Sequence, residues 1–333
     1  MRCFWDERQR LHRPGGEFFN GAMHPPAEHG GRVDAILDAI GRTEAPDDLG
    51  MAPLQRVHSP DYLQFLRGAH DQWLAAGREG DAFPYTFPVV QRRPLNLSRI
   101  DALLGQYSFD TSTPIGPGTW EGSYWAAQTA LAATDAVLGG ERSAFAFCRP
   151  PGHHCGADYL GGYCYLSNVA IAAEHAVAEG RQVAILDVDY HHGNGTQDIF
   201  YERSDVGFVS IHADPSTDYP FFWGHADETG AGEGKGATLN LPLPRGTDWS
   251  CYASALTPAL DWIERRGPDL LFVSLGADTY EGDPISYFRL RTADYAAMAR
   301  RIASLGLPTV IVMEGGYAVD ALGANVAEFL GGF

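Results

Sequence analysis

Acidic and histidine side chains alternate over five residues in the middle of this 333-residue chain. Asp187, Asp189 and His191 are two residues apart, so they face one side wherever the backbone is extended. Asp278 follows a separate apolar segment and can add a third ligand to Asp189 and His191. Two carboxylates and one imidazole, with one position left for water, are typical of catalytic zinc, whereas structural zinc takes four ligands. The pattern therefore predicts a catalytic zinc site.

Two adjacent histidines and one tyrosine supply further reactive groups. His153 and His154 follow a Pro-Pro-Gly sequence that restricts the backbone. Beside zinc, such a pair can act as general base and electrostatic partner, as metal-assisted amide hydrolysis requires. Asp187 and Asn194 are the nearest candidates to orient the two rings, and Tyr317 can donate to a developing oxyanion. Each residue alone would more often have an ordinary structural role, but the combination favours the zinc site.

Short apolar segments precede the candidate groups, and helical segments separate them. Continuous apolar strands of this kind are typical of a parallel sheet buried on both faces, whose ligands bind beyond the carboxyl ends of the strands. We therefore predict the α/β class, with three layers: an open, mostly parallel sheet with helices on both faces. The predicted strands are 143–148, 182–187, 206–211, 269–275 and 308–313. The predicted helices are 27–41, 58–76, 120–138, 166–179, 250–265, 292–304 and 319–330.

One long segment, 81–119, is rich in proline and aromatic residues and has no clear period. It is longer than most loops in compact domains, which indicates a functional or interface loop. The rest of the chain is interpreted as one domain spanning residues 1–333, since α/β folds of this size often form a single body.

Composition limits the classes of function. The formal net charge of −18 disfavours nucleic acids and anionic membranes as partners and would help to attract a cationic substrate. No apolar run approaches the roughly 20 residues needed to cross a bilayer, and residues 1–17 lack the apolar region of a signal peptide. Five cysteines without a CxxC pair argue against a disulfide framework. These features together predict a cytoplasmic protein with reduced thiols.

Four motifs in order resemble those of the histone deacetylase superfamily. They are RPPGHH at 149–154, DVDYHHGNGTQ at 187–197, LGADTYEGDP at 275–284 and EGGY at 314–317. The sequences PGTWE at 117–121 and GGYC at 161–164 are most similar to the bacterial acetylpolyamine amidohydrolases within that superfamily. The resemblance covers nearly the whole chain and implies an arginase-deacetylase fold.

The resemblance also implies hydrolysis of an N-acetyl amide to a free amine and acetate. It assigns zinc to Asp189, His191 and Asp278. His154 becomes the general base and acid, and His153 the electrostatic partner.

Supporting roles follow from the same resemblance. Tyr317 would polarise the acetyl carbonyl, while Asp187 orients His153 and Asn194 orients His154. Family members also contain a potassium ion, which would be structural here. The implied potassium ligands are the backbone oxygens of Asp187, Asp189, His191 and Ile211 and the hydroxyl of Ser210.

A substrate tunnel is a further implication. Tyr163 and Tyr219 would flank the alkyl chain of a small acetylated amine, and the Gly162 carbonyl would accept from the scissile amide. In the similar amidohydrolases the segment corresponding to 81–119 pairs subunits and narrows the entrance, which predicts a homodimer. Asp101 and Asp110 are candidates to recognise distal ammonium groups, although Ser112 stands where a second glutamate is expected.

Three alternative functions compete with this prediction. A protein or peptidyl-lysine deacetylase of the histone type would share the catalytic groups and differ only at the entrance. An arginase-type enzyme with two metals would need further carboxylates, but Gly193 and Tyr280 occupy the corresponding positions. A non-catalytic module that binds acetylated ligands is disfavoured because every expected ligand and Tyr317 are present.

Overall fold

A seven-stranded parallel sheet forms the centre of the computed structural model, which describes residues 1–89 and 96–333. The strands of this sheet are β1 (Arg2–Phe4), β4 (Ser143–Ala146), β5 (Val183–Asp187), β6 (Val206–Ala213), β7 (Thr238–Leu243), β8 (Leu270–Leu275) and β9 (Thr309–Met313). Their order across the sheet is β1-β4-β9-β8-β5-β6-β7, and each neighbouring pair is parallel. A separate antiparallel hairpin consists of β2 (Glu17–Phe19) and β3 (Ala22–His24).

Helices cover both faces of the sheet. They are α1 (Gly31–Ile40), α2 (Ala52–Gln55), α3 (Pro60–Ala75), α4 (Ile100–Gln106), α5 (Thr119–Leu138), α6 (Asn168–Ala178), α7 (Asn194–Phe200), α8 (Trp249–Arg266), α9 (Thr292–Ala303) and α10 (Val319–Leu330). The seven predicted helices are all present, within a few residues of the predicted bounds. The short helices α2, α4 and α7 were not predicted. No helix in residues 1–89 and 96–333 has both the length and the apolar character that a membrane span requires.

Alternating side chains of the strands enter two separate cores. Along β8, Leu271 and Val273 belong to the core beneath α1, α8, α9 and α10, whereas Phe272 belongs to the core beneath α3, α5 and α6. Burying one such side chain contributes roughly 2 kcal/mol, so both faces of the sheet favour apolar residues throughout. This arrangement confirms the predicted α/β class, with helices on both faces of a parallel sheet.

The carboxyl ends of the parallel strands lie along one edge of the sheet. β5 and β8 are neighbours in register, with Asp187 opposite Ser274, and β9 pairs with β8. Segments that follow these three strands therefore meet above the same edge.

A β-bridge joins the two ends of the segment 81–119. Ala82 and Ile115 exchange backbone hydrogen bonds of 2.9 and 3.0 Å, and α4 lies between them. The expectation of a segment without regular structure is thus corrected, since Ile100–Gln106 form the helix α4. Residues 90–95 of the predicted interface loop lie outside the described residues.

Candidate active site

Asp189, His191 and Asp278 converge above the carboxyl ends of β5 and β8. One ligand atom from each lies within 4.8 Å of the others, and all three residues are buried. The Nδ1 of His191 is 2.9 Å from Asp278 Oδ2 and 3.3 Å from Asp189 Oδ1. The structure therefore brings together the three residues that the sequence predicts as metal ligands.

Backbone N–H groups hold the carboxylates of Asp187 and Asp189 in place. The extended strand β5 ends at Asp187, so Asp189 and His191 lie beyond it. The alternation of side chains along a strand, expected from the sequence, therefore does not align these residues. Instead two successive turns form, in which Asp189 N donates to Asp187 Oδ1 (3.1 Å) and His191 N donates to Asp189 Oδ1 (2.9 Å). Gly315 N donates to Asp189 Oδ2 (2.9 Å). A Cβ at Gly276 would lie 2.0 Å from that same oxygen, so only glycine fits there.

The electrostatics of the three residues fit a bound cation. Burial raises the pKa of Asp278 to about 7, and the neighbouring Asp189 carboxylate adds to the increase. Burial disfavours a charged His191, but its contacts with Asp189 and Asp278 outweigh this and raise its pKa to about 10. Two buried carboxylates beside one imidazole form an O, N, O donor set that suits a divalent metal ion, which would relieve their mutual repulsion.

His153 and His154 have different hydrogen-bond partners. His153 Nδ1 is 3.0 Å from Asp187 Oδ2, and His154 Nδ1 is 2.7 Å from Asn194 Oδ1. Because an amide oxygen only accepts, Nδ1 of His154 carries the hydrogen and Nε2 retains a lone pair. Burial, together with His153 and His191, lowers the pKa of His154 well below its usual value. The geometry leaves a neutral ring that can take up a proton.

The environment of His153 has the opposite effect. Burial disfavours the charged ring, but Asp189 and Asp187 outweigh it and raise the pKa of His153 to about 10. The two adjacent rings therefore differ in charge, which separates a cationic partner from a neutral base.

Glu314 holds the histidine segment against the sheet. Its Oε2 accepts from the backbone N–H groups of Gly152 (2.7 Å) and His153 (3.1 Å), and its Oε1 accepts from Ser274 Oγ (3.1 Å). Burial raises the pKa of this carboxyl to about 7. The EGGY motif includes Glu314, but sequence reasoning assigned it no role, because its partners are distant backbone groups.

Asp283 fixes the segment that carries Tyr317. One of its oxygens, Oδ2, accepts from the N–H groups of Tyr317 (2.7 Å) and Ala318 (3.2 Å). The Tyr317 ring lies 5.7 Å from the ring of Tyr163. Asp283 belongs to the LGADTYEGDP motif and was also left unassigned.

A cavity of about 210 Å³ leads to these groups. His154, His191 and Tyr317 line it together with Tyr163 and Tyr219. The structure therefore brings the two predicted wall residues to the same cavity as the predicted catalytic groups. Gly162 and Ser112 also line the cavity, as do Glu17, Phe19 and Ile285.

Residues 26–333 match the histone deacetylase domain. The chain belongs to this family.

Relatives of the histone deacetylase family with a full-length match carry more specific names. Acetylpolyamine amidohydrolase 1 of Pseudomonas aeruginosa is 49% identical over 342 residues, which cover 100% of this chain and 99% of that protein. The acetylpolyamine amidohydrolase of Mycoplana ramosa is 44% identical over 338 residues, which cover 100% of this chain and 99% of that protein. A crystal structure of the acetylpolyamine aminohydrolase from Burkholderia pseudomallei superposes with a TM-score of 0.95 at 43% identity, covering 100% of this chain and 98% of that one. The predicted family is thus confirmed.

Glu17 also lines the catalytic cavity, but the sequence did not predict this residue as part of the site. It lies on β2, is 4% exposed, and its Oε2 has no hydrogen-bond partner among the described residues. Burial raises the pKa of Glu17, while the hydroxyl of Tyr163 lowers it in part. The residue precedes the matched range 26–333 and every quoted motif, so no sequence signal pointed to it.

The two acidic residues proposed for substrate recognition lie in different places. Asp110 Oδ2 accepts from Gly162 N (2.7 Å) and from the Tyr219 hydroxyl (2.9 Å), so it supports the cavity wall from behind. Asp101 pairs instead with Arg99 (2.9 Å) and Arg78 and does not line the cavity. The structure therefore does not bring Asp101 to the site.

The residues expected to bind potassium are neighbours on β5 and β6. Asp187 lies opposite Ser210 in the register, and Asp189, His191 and Ile211 follow on the same two segments. His212 Nε2 is 2.8 Å from the Gly224 carbonyl and its Nδ1 is 2.8 Å from Ser210 Oγ. His212 therefore accepts from the Ser210 hydroxyl, which leaves the oxygen lone pairs of Ser210 available to a cation.

Proposed function

We propose that this protein is a zinc-dependent hydrolase that deacetylates small cationic amines, such as acetylpolyamines, and releases amine and acetate. The names of its full-length relatives support this substrate class. The observation that carries the proposal is the narrow aromatic cavity, which leads to the Asp189, His191 and Asp278 ligand set. It contains the buried carboxylate of Glu17, whose Oε2 has no hydrogen-bond partner among the described residues.

The metal centre would consist of Asp189, His191 and Asp278. Zinc bound there supplies Lewis-acid chemistry, which activates water and polarises a carbonyl. His154 Nε2 takes a proton from the attacking water and later returns it to the leaving amine. His153, held by Asp187, remains cationic and stabilises negative charge beside it. The Tyr317 hydroxyl donates to the developing oxyanion.

The cavity would orient the substrate by shape and charge. The rings of Tyr163 and Tyr219 contact the methylene chain, and the Gly162 carbonyl accepts from the amide N–H. Glu17 then pairs with an ammonium group through Oε2, because a buried carboxylate oxygen without a hydrogen-bond partner favours a cation. A neutral acyl amide of the same length lacks this contact.

We further propose that the chain is one domain that forms a homodimer through segment 81–119. Exposed apolar side chains support an interface there, since Tyr85 is 75% and Val89 is 64% exposed. Light scattering after gel filtration tests this, and a monomer at micromolar concentration would contradict it.

A potassium ion at Ser210 and Ile211 and a cytoplasmic location complete the proposal. Exchange of potassium for sodium should lower the unfolding midpoint if that ion is bound.

A comparison of substrates tests the proposed function. Zinc-loaded protein should release acetate from N-acetylputrescine or N-acetylcadaverine with a higher kcat/KM than from an acetyl-lysine peptide. A faster reaction with the peptide would instead assign the protein as a peptidyl-lysine deacetylase. Binding of either ligand without acetate release would indicate a non-catalytic module.

A further inference from the structure

Tyr159 contacts the residue that orients His154. The Asn194 side chain places Oδ1 2.7 Å from His154 Nδ1. The other end of the same amide, Nδ2, lies 3.3 Å from Tyr159 Oη and 3.4 Å from the His154 carbonyl oxygen. The Tyr159 hydroxyl also contacts Asp198, and neither Tyr159 nor Asp198 lines the catalytic cavity. These two residues therefore reach the reacting groups only through Asn194.

The two ends of the Asn194 amide are not equivalent. An amide oxygen only accepts hydrogen bonds and an amide nitrogen only donates them, so a half turn of this group would direct Nδ2 at His154 Nδ1. His154 would then carry its hydrogen on Nε2, and the lone pair that takes up a proton would be lost. The orientation of the Asn194 amide thus decides whether His154 can act as a base.

A hydrogen bond between Tyr159 and Asp198 distinguishes the two orientations. Tyr159 Oη donates to Asp198 Oδ2 at 2.7 Å, whereas the Asn194 carbonyl oxygen is further away, at 3.5 Å. The carboxylate uses the single hydrogen of the hydroxyl, so only lone pairs of Tyr159 Oη face the Asn194 amide. They accept from Nδ2 and would repel Oδ1. Asn194 and Asp198 are four residues apart on α7, which places both on one face of that helix.

Three neighbours hold the Tyr159 ring in place. Phe109 contacts it edge to face with ring centroids 5.6 Å apart, and Trp223 stacks on it at 6.3 Å. A Cβ at Gly156 would lie 2.3 Å from Cε1 of Tyr159, so only glycine fits beside the ring. These contacts involve the ring and not the hydroxyl. Tyr159→Phe should therefore delete the hydrogen bonds and preserve the packing.

We propose that Tyr159, held by Asp198, is a positioning residue that keeps Oδ1 of Asn194 directed at His154. It thereby maintains the tautomer of His154 in which Nε2 has a free lone pair. This inference rests on the proposed function, in which His154 is the general base.

A double-mutant cycle with zinc-loaded protein tests the proposal. Tyr159→Phe should lower kcat for N-acetylputrescine roughly 3- to 10-fold, the loss expected for one neutral hydrogen bond, and should change KM less than about twofold. In the Asn194→Asp background the same substitution should change kcat less than about twofold, because a carboxylate presents an acceptor oxygen to His154 in either orientation. Tyr124→Phe is the matched control, since it removes a tyrosine–aspartate hydrogen bond to Asp48 outside the cavity and should leave kcat unchanged.

Nitrogen NMR of protein with isotope-labelled histidines reads the tautomer without any turnover. The His154 signals, assigned by their absence in the His154→Gln protein, should show hydrogen on Nδ1 in the wild-type and Tyr124→Phe proteins. Tyr159→Phe should shift part of the population to hydrogen on Nε2.

The two measurements separate this proposal from the proposed function. If the wild-type protein released no acetate from N-acetylputrescine, the proposed function would fail, and the NMR spectra would still decide the role of Tyr159. An unchanged His154 tautomer in the Tyr159→Phe protein would overturn the proposal. So would an unchanged kcat, or an equal loss of kcat in the Asn194 and Asn194→Asp backgrounds.

Discussion

Replacing Glu17 by glutamine removes the one charge that we assign to recognition of the substrate's ammonium group. Glutamine has nearly the same shape, so the cavity between Tyr163 and Tyr219 should persist. A buried hydrogen bond between charged groups contributes about 1.5 to 3 kcal/mol. Since 1.4 kcal/mol corresponds to a factor of ten, Glu17→Gln should lower kcat/KM for N-acetylputrescine by roughly 10- to 150-fold.

A neutral substrate isolates the charge from other effects of the substitution. N-acetylpentylamine has a methyl group in place of the ammonium, so its kcat/KM should change less than about twofold in the Glu17→Gln protein. Glu179→Gln removes an exposed carboxylate after α6 and serves as the control for net charge. Acetate release is measured for both substrates with all three proteins.

Two results would refute this reasoning. An equal loss with the charged and the neutral substrate would mean that Glu17 supports the cavity and does not recognise the ammonium. No loss with either substrate would mean that the unpaired Oε2 of Glu17 is satisfied by solvent.

Two further substitutions address catalysis and stability. Tyr317→Phe should lower kcat about 100- to 1000-fold through loss of the oxyanion donor while the zinc content by metal analysis is unchanged, and an unaltered kcat would contradict the assigned role. His58 Nε2 accepts from Ser167 N (3.1 Å), and burial lowers the pKa of His58 from 6.5 to about 4. The unfolded chain therefore binds the proton more readily, so stability is lost as the pH falls from 6.5 towards 4. By pH 5 this amounts to about 2 kcal/mol relative to pH 8, and His58→Gln should remove that part of the dependence in urea unfolding. The same pH slope in both proteins would show that other groups cause it.

Most of the fold could be predicted because its signals are local. A fully buried parallel strand is apolar along most of its length, and β8 and β9 are apolar except for Ser274 and Thr309. The alternating burial of β7, at the edge of the sheet, and the three residues of β1 give a weaker signal, and both strands were missed. The short helices α4 and α7 have only seven residues each, too few for a helical period to be distinguished.

Some residues of the candidate site could be predicted from local signals, and others could not. Asp189, His191 and Asp278 follow predicted strands, so the rule that ligands bind beyond strand carboxyl ends was enough to group them. The structure places Asp101 on α4, where it pairs with Arg78 and Arg99. The sequence did not reveal this short helix, so it gave no direction for that side chain.

The sequence by itself determined five of the strands, seven of the helices, the three candidate metal ligands and the histidine pair, since each depends on residue type and short spacing. The tertiary structure alone decided that Glu17 enters the catalytic cavity and that Glu314 holds the histidine segment. Both placements depend on contacts between residues far apart in the chain, such as Glu314 with Gly152, and no local pattern encodes them.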